Sequence, residues 1–167
     1  MPFNFLAVIV AAFVTLLMGF IWYHPKVFGT IWMNESGITE EKMKAANMPL
    51  IFGLSFVFAL MLSMSMQMLV IHQMHVFSLF QHHEAELKDP NSVVGALVKT
   101  IMDNYGNEFR TFKHGALHGF MSSLFIVLPL LATNGMFERK SWKYIWINWG
   151  YWTLTFTIMG GIVCAWQ

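Results

Sequence analysis

Residues 3–23 read FNFLAVIVAAFVTLLMGFIWY, an apolar run that contains no Asp, Glu, Lys or Arg. As an α-helix this run rises by about 1.5 Å per residue, which is enough to cross a hydrocarbon core of ~30 Å. A charged side chain at the centre of that core is costly, so a spanning helix keeps its charges at or beyond its ends. The stretch therefore predicts a membrane-spanning helix.

The same pattern occurs three more times in the 167 residues, at about 50–71, 115–137 and 144–166. All 10 Lys and Arg and all 9 Asp and Glu lie in the connections between these runs. We therefore predict an all-α polytopic membrane protein with four transmembrane helices, forming a single transmembrane domain over residues 1–167. The helical pattern of the second span continues to residue 81, and residues 82–114 are expected to form an extramembrane loop.

Composition excludes several other classes of protein. Apolar residues make up 56% of the chain, aromatic residues 16% and charged residues 11%, unlike an ordinary soluble domain. A net charge of +1 offers no basic patch, so no nucleic-acid partner is expected. Cys164 is the single cysteine and cannot form an intramolecular disulfide. The sequence has no phosphate-binding loop, nucleophile elbow or dinucleotide fingerprint, so we do not expect an enzyme.

Two connections are expected to carry short amphipathic helices, the first in the membrane interface and the second on the membrane surface or against the projecting end of the second span. After the first span, residues 26–33 place bulky apolar side chains at helical spacing. Between the second and third spans, Asp89-Pro90 has the pattern of an N-cap with Pro at the first helical position, and Gly106 supplies a stop. An apolar stripe lies between them at Val93, Val94, Leu97, Ile101 and Tyr105.

The charges of the connections favour one orientation in the membrane. The first and third connections share a side and hold six of the Lys and Arg residues, whereas the second connection holds four. Because positive charge is enriched on the cytoplasmic side, we expect the first and third connections there. Both termini are then on the outer side.

The exit of the first span carries a distinctive motif. Residues 22–32 read WYHPKVFGTIW, which gives the pattern W-Y-x-P-x-x-F-G-x-x-W. Trp and Tyr favour the headgroup level, Pro ends one helix and starts the next, and Gly allows another backbone to approach. The motif predicts a rigid corner at the membrane interface, with a binding role as the alternative, and its residues are Trp22, Tyr23, Pro25, Phe28, Gly29 and Trp32.

The chain resembles the membrane protein family catalogued as domain of unknown function 1761. The motif at 22–32, the sequence HGALHG at 114–119, and the residues WK at 142–143 followed by INWGYW at 147–152 carry this resemblance. It covers nearly the whole chain in order, although residues 82–113 look peculiar to this sequence. The resemblance implies a four-helix, multi-pass protein of the bacterial inner (cytoplasmic) membrane, and it brings no established activity or catalytic residues.

Histidine carries the only chemistry that the sequence suggests. Six of the 7 histidines fall on one side of the membrane, namely His72, His75, His82, His83, His114 and His118. His72 with His75, and His114 with His118, are pairs at helical spacing that we expect at the same depth. If their faces meet, three or four imidazoles converge, which suits Cu, Zn, Ni or Fe. These four are the candidate metal ligands, with Glu84 and Glu86 near enough to add oxygen ligands.

Several alternatives stay open for these histidines. They can be structural, because an imidazole at the interface keeps one end in water. Met61, Met64 and Met68 extend the His72 face down the second span, and thioether with imidazole favours a copper path, although such a stripe is more often packing. A haem held between His118 and either His72 or His75 is the other cofactor hypothesis.

The leading functional prediction is the binding or passage of a small solute or ion at the histidine cluster. The alternatives are a metal-binding (Cu or Zn) or haem-binding membrane protein, and a structural or accessory subunit of a membrane complex. Passage would use polar side chains of the spans, namely Thr15, Ser55, Ser63, Ser65, Gln67, Asn148, Thr153, Thr155 and Thr157. Four helices enclose a narrow lumen, and Gly115, Gly119 and Gly160-Gly161 let helices approach closely. We therefore expect a homo-oligomer in the lipid bilayer.

Overall fold

The computed structural model describes residues 3–167, and every regular element in that range is helical, which confirms the all-α prediction. Two π-helical turns interrupt the α-helices, at Pro25–Gly29 and at Ser123–Val127. The α-helices are α1 (Phe5–Trp22), α2 (Thr30–Ser36), α3 (Glu40–Lys44), α4 (Met48–Val70), α5 (His72–Leu79), α6 (Glu84–Lys88), α7 (Val93–Tyr105), α8 (Phe112–Ser122), α9 (Leu128–Phe137) and α10 (Trp142–Ala165).

Three helices are long and apolar enough to cross a membrane, namely α1, α4 and the continuous helical stretch Phe112–Phe137 formed by α8, the second π-helical turn and α9. They coincide with the first three predicted spans. The fourth predicted span coincides with α10, which has 24 residues but is not among the spanning helices found in residues 3–167. Its Trp, Tyr, Asn and Thr residues lower its hydropathy, so the count of four spans stays a prediction.

The position of α10 explains why it is the most polar of the long helices. It packs against α8, α1 and α4 and lies in the middle of the bundle. Met159, Val163 and Cys164 on α10 are fully buried and form the core with residues of α1 and α4 such as Ala11 and Met66. Most neighbours of α10 are therefore protein, and its polar side chains find partners there that lipid could not supply.

Glycines bring α8 and α10 into close contact. A Cβ atom at Gly115 would collide with the carbonyl of Gly160, and one at Gly119 would collide with the carbonyl of Phe156. Small residues at such a crossing let the two backbones approach. The glycines that led us to expect self-association are thus used inside the chain, and the homo-oligomer stays a prediction.

The second span is not one continuous helix, which corrects the predicted extension from 50–71 to residue 81. α4 ends at Val70, and Ile71 has extended backbone angles (φ −105°, ψ 97°) before α5 begins at His72. The start of α7 also differs from the prediction. Its N-cap is Ser92, whose hydroxyl accepts from Gly95 N–H at 2.9 Å, and not Asp89.

Several apolar residues of the stripe on α7 face outward. Val93 is 84% exposed and Leu97 is 48% exposed, as an interfacial helix requires if this face contacts lipid. Lys99 and Asp103 of this helix are also exposed, and their side chains form an i, i+4 ion pair. The interfacial location of α7, and of the short helix α2, stays a prediction.

Candidate metal centre

Three imidazole rings meet at one end of the helix bundle. The nitrogen atoms that His72, His114 and His118 could offer to a metal lie within 4.8 Å of one another. The Nε2 atoms of His72 and His114 are 2.8 Å apart, and the ring centroids of His114 and His118 are 4.5 Å apart. Two nitrogens that bind one tetrahedral zinc ion at ~2.0–2.1 Å lie about 3.3 Å from each other. These three residues, the histidine triad, are therefore close to ligand spacing.

Local structure brings the triad together. Because the backbone breaks at Ile71, His72 is the first residue of α5 and not a further turn of α4. Thr111 is the N-cap of α8, and its hydroxyl accepts a hydrogen bond from the His114 N–H at 3.2 Å. His114 and His118 are one turn apart, so both rings lie on one face of α8.

The Phe109 ring covers one side of the triad. Its centroid lies 5.1 Å from that of His114 and 5.9 Å from that of His72. The backbone of Phe109 is in the left-handed region (φ 61°), which is strained for a bulky side chain. Cys164 Sγ lies 3.3 Å from the Phe109 carbonyl and donates to it, so the buried end of α10 supports this turn.

Arg110 ties the same turn to the end of α10. The side chain is buried, with 8% exposed, and it donates from Nε to the Cys164 carbonyl at 2.7 Å and from Nη2 to the Trp166 carbonyl at 2.8 Å. The last carbonyls of a helix lack partners within the helix and carry a partial negative charge, so a cation there is stabilising. Arg110 therefore fixes the segment from which α8 and its two histidines start.

A cavity of about 570 Å³ lies beside His72. Gln73, Glu108 and Phe109 line it together with His72. Gln73 Nε2 donates to the carbonyls of Tyr105 at 3.0 Å and Glu108 at 2.8 Å, which holds the end of α7 against α5. The cavity gives a water molecule or a small solute access to one edge of the triad.

The other predicted ligands lie outside this group. His75 is one turn after His72, but it is not among the converging histidines. Both glutamates have partners close by in the sequence. Glu86 Oε1 lies 2.8 Å from Nδ1 of His83, the residue before α6. Glu84 pairs with Lys88 of the same helix at 3.7 Å. The structure thus brings together three of the four candidate ligands, and metal binding itself stays a prediction.

The methionine stripe does not lead into the bundle. Met61, Met64 and Met68 are 59%, 45% and 50% exposed, so they face away from the core. Met66, which was not part of the stripe, is the buried methionine of this region of α4. A route for copper through the protein interior therefore gains no support from these thioethers.

The shape of the triad argues against a haem. The ring centroids of His72 and His118 are 5.2 Å apart, and His114 lies 4.9 Å from the first and 4.5 Å from the second. Two axial histidines hold a porphyrin between them from opposite faces. Here the third ring lies close to both of the others, an arrangement unlike two ligands on opposite faces of a macrocycle.

The W-Y-x-P motif forms an aromatic corner beside the first half of α10, whereas α8 and its two histidines pack on the second half of this helix. Trp22 Nε1 donates to the Ile147 carbonyl at 3.0 Å, and the Tyr23 hydroxyl donates to Asn148 Oδ1 at 2.9 Å. A Cβ atom at Gly29 would collide with the Tyr23 carbonyl, so glycine is required there. These contacts agree with the structural interpretation of the motif.

Aromatic contacts complete the corner. The Trp22 and Phe28 ring centroids are 4.4 Å apart, and those of Tyr23 and Trp32 are 5.3 Å apart. Pro25 opens the π-helical turn that leads into α2. All six motif residues therefore belong to one small structural unit, which joins α1 to the start of α10.

Polar contacts join the first and third connections beside this corner. Lys140 Nζ donates to the Ser36 carbonyl at 2.8 Å, and Lys143 Nζ lies 3.1 Å from Glu35 Oε1. The Ser141 hydroxyl donates to Glu35 Oε2. The hydrogen bond from Ser141, and then that from Lys143, hold the pKa of the Glu35 carboxyl below its usual range. The predicted placement of both connections on one side agrees with these contacts.

No pattern in the sequence predicts the supporting roles of Phe109 and Arg110, and Trp149 stands out only as part of the motif at 147–152. Arg110 is the only arginine of the long loop and stands directly before the N-cap Thr111, but only the Thr111 cap is a signal of a helix start. Trp149 Nε1 donates to the Ser123 carbonyl at 3.1 Å, at the π-helical turn that precedes Pro129. No sequence pattern indicates that a specific indole supports that turn.

Comparison with known proteins gives one match. A family model described as "Protein of unknown function (DUF1761)" matches residues 6–164, a range that includes the triad and the aromatic corner. No curated protein and no solved structure matches the chain. The resemblance inferred from the motifs is thereby confirmed, and the chain belongs to the DUF1761 family of proteins of unknown function.

Proposed function

We propose that this protein is a membrane protein that binds a transition-metal ion, zinc or copper, through His72, His114 and His118. The observation that carries the proposal is that three imidazole nitrogens from two separate helices lie within 4.8 Å of one another. Imidazole is the ligand that such ions share. The proposal keeps the predicted role of the cluster in binding a small solute or ion and names the ion.

Three protein ligands leave a coordination position for something else. Zinc sites with three histidines commonly hold water or a substrate at the fourth position. The cavity beside His72 is where such a molecule would approach. Because only neutral imidazole binds a metal, affinity should fall as the solution is made acidic, and binding should release protons.

Binding is favoured over passage because most of the polar side chains proposed for passage are used locally, the exceptions including Thr15 and Ser63, whose hydroxyls have no partner. Thr153, Thr155 and Thr157 each donate to the carbonyl four residues earlier, at 2.7–2.8 Å. Gln67 donates to the Asn4 carbonyl at 2.7 Å and supports the start of α1. Side chains bonded to their own helix or its neighbour are poor substitutes for the hydration shell of a moving ion.

The membrane setting belongs to the same proposal. α10 would be the fourth span, with its polar residues inside the bundle, and α2 and α7 would lie in the interface. The family resemblance supports a bacterial inner membrane, and the charges of the connections support both termini on the outer side. A homo-oligomer would place several triads around one axis.

Elemental analysis tests the proposal directly. The full chain is purified in mild detergent without a metal-binding tag, loaded with zinc or copper, and dialysed. We expect about one metal ion per chain, and its loss from the double variant His72→Ala/His118→Ala. His75→Ala is the matched control and should retain the metal. Protein that binds no metal, or loses it equally in the control, would refute the proposal.

A further inference from the structure

A second cavity lies far from the triad, between α1, α4 and α10. Its volume is about 780 Å³, within the range of small-molecule sites. Tyr23, Pro25 and Trp32 of the aromatic corner form its interfacial end, and Thr15 and Phe58 lie deeper. Thr15 is seven residues before Trp22, so the cavity extends about 10 Å along α1 at ~1.5 Å per residue.

The cavity opens between exposed apolar side chains of two helices that have the length and composition of membrane spans. Phe20 and Phe58, which line it from α1 and α4, are 61% and 58% exposed, and both helices are membrane-spanning by length and composition. None of the residues that line it is Asp, Glu, Lys or Arg. His24 lies at the interfacial end of the lining, and the rest of the lining is apolar or uncharged, which favours an uncharged, lipid-soluble molecule.

Two residues that line the cavity each carry a buried polar atom without a hydrogen-bond partner, namely Thr15 Oγ1 and Trp32 Nε1. The Thr15 side chain is 95% buried, and such atoms are rare in native proteins. The neighbouring phenols are already used, since Tyr23 donates to Asn148 and Tyr151 donates to the Thr15 carbonyl at 2.9 Å. An indole N–H can only donate, so its missing partner is an acceptor.

We infer that this cavity binds a neutral, lipid-soluble molecule that carries a carbonyl oxygen. The carbonyl accepts a hydrogen bond from Trp32 Nε1 at the interfacial end once a small rotation of the Trp32 side chain exposes this buried atom, and the hydrocarbon body lies along α1 and α4. Thr15, after rotation about χ1, offers a second polar contact deeper in the membrane. Two sources share this chemistry, a quinone and the ester carbonyl of a glycerolipid.

The test measures binding of three radiolabelled probes to the full chain in mild detergent by equilibrium dialysis. The probes are a decyl-substituted benzoquinone, dioleoylglycerol and, as a molecule without an acceptor, hexadecane. Trp32→Phe removes the donor but keeps an aromatic ring, and Thr15→Val removes the hydroxyl at nearly constant shape. Trp146→Phe and Thr157→Val are matched controls, because neither residue lines the cavity.

We expect saturable binding of at least one carbonyl probe, weakened about threefold to tenfold by Trp32→Phe, as for loss of one hydrogen bond. The control variants and His72→Ala should leave binding unchanged, which separates this site from the metal centre. The probe that binds more tightly identifies the source of the carbonyl. Absence of saturable binding, or equal effects of Trp32→Phe on hexadecane and on the carbonyl probes, would overturn the inference.

Discussion

The two ends of the bundle use nitrogen-bearing rings in opposite ways. At the aromatic corner, Trp22 Nε1 donates to the Ile147 carbonyl, so this ring nitrogen is bonded to the protein itself. At the histidine end, the Nε2 atoms of His72 and His114 face each other at 2.8 Å, and His118 approaches both rings. The Trp22 bond joins a ring to a backbone carbonyl and stabilises the fold, whereas the His72–His114 hydrogen bond joins two candidate ligands and would be replaced by their bonds to an ion.

The ends also differ in what positions them. The corner is built from one continuous segment that bonds to the start of α10. The triad depends on three separate features, namely the break at Ile71, the cap at Thr111 and the close crossing of α8 with α10. We therefore expect the histidine end to be more sensitive to changes in helix packing, and the corner to be more sensitive to loss of single hydrogen bonds.

The largest effect is expected from Gly119→Val at the α8–α10 crossing. A Cβ atom there would collide with the Phe156 backbone, which cannot move as a side chain can, so the free energy of unfolding should fall by about 3 kcal/mol or more. Because α8 carries His114 and His118, metal affinity should fall as well. Thermal unfolding in detergent and metal titration measure both.

Gly53→Val is the control for this change. Gly53 lies in α4, and a Cβ atom there would meet nothing within 4 Å. The same substitution should therefore leave stability and metal affinity close to those of the natural sequence. If Gly53→Val and Gly119→Val change stability and metal affinity equally, sensitivity to helix packing does not distinguish the histidine end from the aromatic corner.

A smaller effect is expected from Tyr23→Phe at the aromatic corner. The substitution removes the hydroxyl that donates to Asn148 Oδ1 and leaves this half-buried oxygen without that hydrogen bond. The free energy of unfolding should therefore fall by about 1–2 kcal/mol. Metal affinity should not change, because the triad lies at the other end of α10. A matched change at the exposed Tyr105, Tyr105→Phe, should have little effect on stability. Weakened metal binding in Tyr23→Phe would show that the ends are coupled.

The smallest effect concerns Glu35 beside the corner. Hydrogen bonds from Ser141 and Lys143 lower the pKa of this carboxyl in the folded protein. Its contribution to stability is therefore complete above the ordinary pKa of a carboxyl and disappears as the pH falls through the lowered value. The melting temperature of Glu35→Gln should depend less on pH in this acidic range than that of the natural protein, whereas Glu41→Gln should not differ from it.

Much of the helical layout is predictable because a bilayer imposes length and hydropathy on each span. The predicted runs at 3–23 and 115–137 lie within a few residues of Phe5–Trp22 and Phe112–Phe137. The break at Ile71 is not predictable in this way. No Gly or Pro marks it, and it depends on how α4 and α5 pack in three dimensions.

The candidate site is predictable only in part for the same reason. Helical spacing places His114 and His118 on one face, because both lie in one uninterrupted helix. The spacing of His72 and His75 is equally regular, yet only His72 reaches the triad. Arg110 and Phe109 support the site through long-range contacts with α10, for which a single sequence carries no periodic signal.

X-ray absorption spectroscopy of the zinc-loaded protein tests the central claim most directly, because it counts the ligands that a bound ion has. The account predicts three imidazole nitrogens at ~2.0–2.1 Å together with one further oxygen or nitrogen ligand from water or a small solute. The number of imidazoles should fall in His118→Ala and stay at three in His75→Ala. A shell of oxygen atoms alone, or an imidazole count that His118→Ala leaves unchanged, would contradict the assignment of the triad as a metal site.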